Sequence, residues 1–169
     1  RNVVARLEGE RYPDQWVTFG NHHDAWIYGA GDPSSGTAAL LEWARVVGGL
    51  AAEGRRPART LVLGVWDAEE MLLGGSTEFV EHRAADLLEH AVANINMDSA
   101  VFNTDRPLRV AGHASLHDLF REVATTLTHP RTGQPFDEAW VAMQRESFPL
   151  GSVDGFGYFY EEGDPITEP

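Results

Sequence analysis

Two short stretches carry residue types that can do metal chemistry. The first runs from His22 to Gly36 and holds His22, His23, Asp24 and Asp32; the second is Trp66-Asp67-Ala68-Glu69-Glu70. A third polar position, Asp98, follows Ala91–Met97. One imidazole among several carboxylates suits hard or borderline divalent cations, above all zinc where two ions share a carboxylate. Two such ions lower the pKa of a water and polarise a carbonyl. Asp24, two residues after His22, is in reach to accept from the imidazole and fix its tautomer. Glu69 and Glu70 point to opposite sides if extended, so one can bind metal while the other faces the water.

These groups need rigid elements behind them. Val17 and Phe19 in Gln15–Gly20, Leu61 to Val65 in Thr60–Trp66, and Ala91–Met97 read as buried strands, the second as central. Asn2–Arg6 reads as a further strand, joined to Gln15–Gly20 by a short polar turn. Ala38, Leu41, Ala44, Val47 and Leu50 recur at helical spacing behind Ser34 or Ser35 as N-cap. Ser76 or Thr77 is expected to cap a second helix running to about His90, and Leu116–Leu127 reads as an amphipathic helix. Pro107–Ala111 reads as a short strand, Arg131–Ser147 as mixed and polar, and the tail from Leu150 shows no periodicity. Strands alternating with helices imply an α/β sheet covered on both faces. Each candidate group then stands at a strand exit, where open α/β sheets keep their ligands.

Each stretch also has a plainer reading. Asp67 to Glu70 can be an acidic helix start that complements the dipole. His22-His23-Asp24 alone is often a solvated loop, and Asp98 can be an N-cap. Three such coincidences at successive strand ends are harder to accept than one. The other histidines, 82, 90, 113, 117 and 129, read as surface residues, and the five tryptophans as core.

Composition narrows the class. The 169 residues suit one domain, and 43% apolar with 23% charged residues is ordinary globular usage. Net charge is −13, and all 13 basic residues are arginine. That balance disfavours nucleic acid and anionic membrane as partners. No cysteine is present, which excludes disulfides, thiolate metal sites and cysteine nucleophiles. No apolar run approaches the roughly 20 residues of a membrane span. The first residue is Arg1, inside what reads as a strand, which suggests an excised piece.

The motifs resemble a known family. Gly20-Asn21-His22-His23-Asp24-Ala25-Trp26, Asp32-Pro33-Ser34-Ser35-Gly36, Trp66-Asp67-Ala68-Glu69-Glu70, Gly75-Ser76-Thr77-Glu78 and Ile95-Asn96-Met97-Asp98-Ser99 resemble, in order and spacing, the M28 zinc peptidases. The branch most similar contains glutamate carboxypeptidase II and the transferrin receptor. The resemblance implies a three-layer α/β/α zinc-peptidase fold, phosphorylase/hydrolase-like, with a mostly parallel mixed sheet. Residues 1–169 would form a single partial catalytic domain, truncated at both ends.

The same resemblance implies roles. His22 and Asp98 would bind one zinc, Asp32 would bridge two, and Glu70 would bind the second. Glu69 would be the general base and Asp24 would orient His22. The substrate would be a peptide cut by a zinc-dependent exopeptidase, aminopeptidase or glutamate-carboxypeptidase-like. The alternative is a non-catalytic, transferrin-receptor-like binding or scaffold domain, or an inactive fragment that lacks the family's last histidine ligand. Arg109 matches a position near the substrate cleft, and Gly151, Ser152 and Asp154 lie in a stretch resembling the substrate loop. Pro33 makes a cis Asp32-Pro33 bond cheap, as the family tends to have there. The family's last histidine ligand has no counterpart in the C-terminal forty residues and is expected beyond Pro169. The second zinc site would then be incomplete. Met71-Leu72-Leu73-Gly74-Gly75 departs from the usual Phe-Gly-Leu-Leu-Gly. Self-association through uncovered surface is expected. An extracellular or periplasmic setting is favoured by resemblance only.

Overall fold

The computed structural model describes residues 1–100 and 112–147. The chain divides into two compact units, Arg1–Phe102 and Asn103–Pro169. The first contains strands β1 (Val3–Leu7), β2 (Tyr12–His22), β3 (Arg59–Trp66) and β4 (Ala91–Asn96). Its helices are α1 (Ser34–Ala52), α2 (Gly74–His82) and α3 (Ala84–His90). Pro107–Ala111 lies outside the described residues.

The sheet order is β1-β3-β2-β4. β1 and β2 are consecutive in sequence but not neighbours, because β3 lies between them. β1 runs antiparallel to β3, pairing Val3 with Val65 and Leu7 with Leu61. β2 is parallel to both β3 and β4. The β2–β3 connection therefore needs a crossover, which α1 supplies. β3 is central, as its continuous apolar run requires. β4, expected to be buried, has Val92 and Ile95 substantially exposed. Among the described residues only β2 borders it, so one long side of the strand stays uncovered.

α1 covers one face of the sheet. Leu40 meets Leu61 and Leu63, with Val17, Phe19, Trp43 and Val47 around them. Phe19 and Trp43 stack at 4.0 Å. The alternate residues of the strands face the other side. There Trp66 packs on Phe79 of α2 at 4.8 Å, and Trp16 on His90 of α3 at 4.8 Å. His90 is thus a packing residue as well as a surface one. Trp26, expected in the core, sits in the loop after β2 and is 65% exposed.

Helix boundaries also moved. α1 begins at Ser34, with Pro33 at the N-cap position and no side-chain cap; the Ser35 hydroxyl donates back to the Gly31 carbonyl instead. The single helix expected up to His90 is two, because the backbone leaves helical φ at Arg83 (φ −111°).

The second unit contains a 3-10 turn at Ala114–Leu116, α4 (His117–Thr125) and α5 (Phe136–Ser147). Phe120 meets Trp140 edge-on at 5.6 Å, and Ala124, Ala139 and Trp140 are buried. α5 replaces the mixed polar stretch expected there. Among the described residues no helix is long and apolar enough to cross a membrane.

Candidate functional site

Parallel register brings the three strand exits together. His22 at the end of β2 lies opposite Trp66 at the end of β3. Gly20 lies opposite Asn96, and Met97 N–H donates to the Gly20 carbonyl at 3.0 Å. Asp67–Glu70 and Asp98 therefore leave the sheet beside His22.

His22 is buried, with a side chain only 2% exposed. Its Nε2 lies 3.0 Å from Asp32 Oδ1, 3.1 Å from Asp98 Oδ1 and 3.9 Å from Glu69 Oε2. On its other side, Nδ1 lies 3.0 Å from the backbone carbonyl of Asp24. A carbonyl only accepts, so the neutral ring carries its proton on Nδ1. In that tautomer the Nε2 lone pair faces two carboxylate oxygens, which either a proton on Nε2 or a metal cation between them would reconcile.

The donor set fits that cation. One atom each from His22, Asp32 and Asp98 lie within 4.8 Å of one another. Ligands on a tetrahedral sphere of zinc radius are about 3.3 Å apart, close to the two imidazole–carboxylate separations. Glu70 is not in this group, and among the described residues there is one such group.

The same crowding sets the local protonation. Burial lowers the His22 pKa, but the Asp98 hydrogen bond and the charges of Glu69, Asp98 and Asp32 leave it above its ordinary 6.5. Burial raises Glu69 above the usual carboxylate value; Asp98, Glu70 and Asp24 add to this and His22 opposes it. Asp24 is the converse. Burial would raise it, but backbone N–H groups of Glu69 and Glu70 hold it low.

Those bonds place Asp24 differently from the expectation. Its carboxylate is 3.5 Å from His22 Nδ1, beyond a good hydrogen bond. It accepts instead from Glu69 N–H at 2.9 Å and Glu70 N–H at 3.2 Å. Imidazole orientation falls to the Asp24 carbonyl, and the carboxylate fixes the glutamate turn.

That turn is tightly wound. Leu73 N–H donates to Glu69, Gly74 N–H to Ala68 and Gly75 N–H to Asp67, each at 2.8 Å. Ala68, Leu72 and Leu73 all have positive φ. Each such residue costs about 1–2 kcal/mol. The acidic residues form this turn and are not the first turn of α2. The departure at Met71–Gly75 falls here.

Asp32 is placed from beneath. The Asp32-Pro33 bond is cis. Asn21, fully buried, donates to the Pro33 carbonyl at 2.9 Å and to Thr37 at 3.0 Å. Thr37 in turn donates to the His22 carbonyl at 2.7 Å. A Cβ on Gly36 would overlap the carbonyls of Met97 and Asp98, so only glycine lets α1 approach the third strand exit this closely. Asn21, Gly36 and Thr37 went unread as site residues, although all lie inside or beside the quoted motifs. Arg109, Gly151, Ser152 and Asp154 lie outside the described residues.

A cleft of about 390 Å³ is lined by His22, Glu69 and Asp98 together with the apolar Trp66, Leu73 and Phe79.

Aminopeptidase NAALADL1 of Mus musculus is 38% identical over 159 residues, 92% of this chain and 21% of its own. The probable glutamate carboxypeptidase LAMP1 of Arabidopsis thaliana is 41% identical over 160 residues, 94% of this chain and 23% of its own. The chain thus spans about a fifth of the length of these curated relatives. The crystal structure of a peptidase M28 precursor from Shewanella amazonensis matches with a TM-score of 0.56 and 26% identity, over 84% of this chain and 33% of that one. Residues 2–150 match the profile of Peptidase family M28, and the chain belongs to that family.

Proposed function

We propose that this chain carries the metal-binding and proton-transfer groups of a zinc-dependent exopeptidase. The observation that carries the reading is His22 Nε2 facing Asp32 and Asp98 at 3.0 and 3.1 Å, with Glu69 behind them at 3.9 Å. His22, Asp32 and Asp98 would hold one zinc. Glu70 would serve a second ion, with Asp32 shared between the two. Zinc supplies Lewis-acid polarisation of the scissile carbonyl and a lowered pKa for water.

The chain's own groups do the rest. Glu69 takes a proton from the attacking water and returns it to the departing amine, so one carboxylate serves both halves of the hydrolysis. Its carboxylate lies 3.9 Å from His22 Nε2, beside the place where zinc would be held, which is where a base must stand to reach the water. Asp24 holds the Glu69–Glu70 backbone in place by accepting one N–H from each residue. The His22 Nδ1–H bond to the Asp24 carbonyl keeps Nε2 directed at the ion.

The related proteins carry both aminopeptidase and glutamate carboxypeptidase names, so both substrate types belong in the test. The purified chain, loaded with zinc and mildly dialysed, should retain at least one equivalent. It should cleave aminoacyl or N-acetylated glutamyl peptides, and Glu69→Gln should keep the zinc but lose about 10²–10⁴ in kcat. Zinc retention below about half an equivalent (against one ion per three-ligand site), with no cleavage, would favour a non-catalytic scaffold.

A further inference from the structure

We infer that Asn2 is a positioning residue for the Glu69–Glu70 turn, pinning both ends of the Asp67–Gly75 segment from 65 residues away in sequence. Asn2 precedes β1, and neither it nor β1 contributes a group to the His22 cluster. Its carboxamide nonetheless makes two hydrogen bonds to that segment and one to the helix it leads into. Oδ1 accepts the Asp67 N–H at 3.1 Å. Nδ2 donates to the Gly75 carbonyl at 2.8 Å and to Glu78 Oε2 at 3.1 Å. One planar group thus joins the entry of the turn, its exit and α2. These bonds are separate from the ion pair between the Arg1 terminal ammonium and the Asp67 carboxylate.

A second observation is steric. A Cβ on Gly75 would overlap both Asn2 Oδ1 and the Asp67 carbonyl, so the backbone there is shaped around the carboxamide. A third is the turn's need for external support. Ala68, Leu72 and Leu73 are left-handed, and such residues persist where the surroundings over-determine them. Two side chains supply that support. Asp24 grips the middle of the turn at the Glu69 and Glu70 amides, and Asn2 grips its ends. β1 has a matching purpose, since its pairing with the end of β3 (Val3 with Val65) delivers Asn2 to the Asp67 amide.

The inference rests on the assignment of Glu69 as base, and the test separates the two. Amide hydrogen exchange is measured on the whole chain, wild type, Asn2→Ala and Asn2→Asp. Asn2→Ala is expected to speed exchange at Asp67, Glu69 and Glu70 by about tenfold while Val62 and Leu63 in β3 stay protected. Asn2→Asp keeps an acceptor for the Asp67 N–H but sets a carboxylate oxygen against the Gly75 carbonyl and the Glu78 carboxylate, and should release the same amides by at least as large a factor. Where the chain cleaves peptide, Asn2→Ala should lower kcat about tenfold, because the turn it holds carries the base Glu69. Wild-type exchange at Glu69 and Glu70 in both variants overturns the inference. So does a uniform loss of protection that includes the β3 amides, which marks general destabilisation. A wild-type chain without peptidase activity counts against the proposed function alone, since exchange still reads the Asn2 contact.

Discussion

The Asp24 carboxylate accepts the Glu69 N–H at 2.9 Å, while its distance to the His22 ring is 3.5 Å. A residue adjoining the imidazole in sequence thus spends its charge on the strand-exit turn of β3. This joins two of the three exits by a charge-assisted bond.

Asp24→Asn tests that link. The amide has one acceptor oxygen, so one of the two N–H groups at Glu69 and Glu70 faces an NH₂ group. We expect a stability loss of about 1–3 kcal/mol by denaturant titration. Turnover on zinc-loaded protein should fall about 10–100-fold, the usual cost of removing a support behind the ligands. Unchanged stability would show that the two bonds carry little.

Acidity near His22 gives opposite pH trends for metal-free and zinc-loaded protein. The His22 pKa is raised above 6.5, so the folded state holds the proton more tightly than the unfolded state. That stabilisation is full below 6.5 and disappears as pH rises through the higher folded value. Zinc needs the neutral imidazole, so its stabilisation grows over the same window. Thermal melts in chelator should fall from pH 6 upward (a window set by the ordinary imidazole range of about 6.5), and the gain from added zinc should rise. His22→Gln should remove both slopes. Glu69 is raised too, and its window starts from 4.5. A chelated melt independent of pH, alike in both proteins, would refute the assignment.

Gly36→Ala sets helix propensity against packing. In a free helix alanine gains about 1 kcal/mol over glycine. Here its methyl would overlap the Met97 and Asp98 carbonyls, and overpacking costs about 1–3 kcal/mol. The steric cost wins, and the shift falls on Asp98. We expect a lower Tm together with weaker zinc binding by calorimetry. A higher Tm with unchanged affinity would mean that the approach of α1 to Asp98 is not tight.

Leu72→Gly should stabilise the chain. Leu72 sits at φ 66° with its side chain 93% exposed, so little burial is lost. Relief of the left-handed backbone is worth about 1–2 kcal/mol. The added freedom of the unfolded glycine takes back about 0.4–1 kcal/mol. A net gain of up to about 1.6 kcal/mol, centred on about 0.8 kcal/mol, follows from these two terms, readable as a higher denaturant midpoint. A lower midpoint would mean that the exposed leucine packs against something that holds the turn.

The sequence by itself determined which polar residues gather at the strand exits, and most of the strand frame. His22, Asp32, Glu69 and Asp98 were legible as a cluster because each follows a run apolar enough to be a strand, and parallel strands end on the same side of a sheet. The central place of β3 followed from its unbroken apolar run. α5 was also written in the sequence, with Phe136, Ala139, Trp140 and Met143 at helical spacing, but its polar neighbours masked the pattern. What sequence could not supply was long-range pairing. That β3 separates β1 from β2 depends on which strand edges meet, and hydrophobic pattern is blind to edges. The exposure of β4 and Trp26 likewise depends on what lies against them. Which atom of Asp24 faces His22, and whether Asn2 reaches Asp67, are decided by directions fixed to a fraction of an ångström. Residue type sets what a group is able to do; only the register of β1, β2, β3 and β4 decides which group it meets.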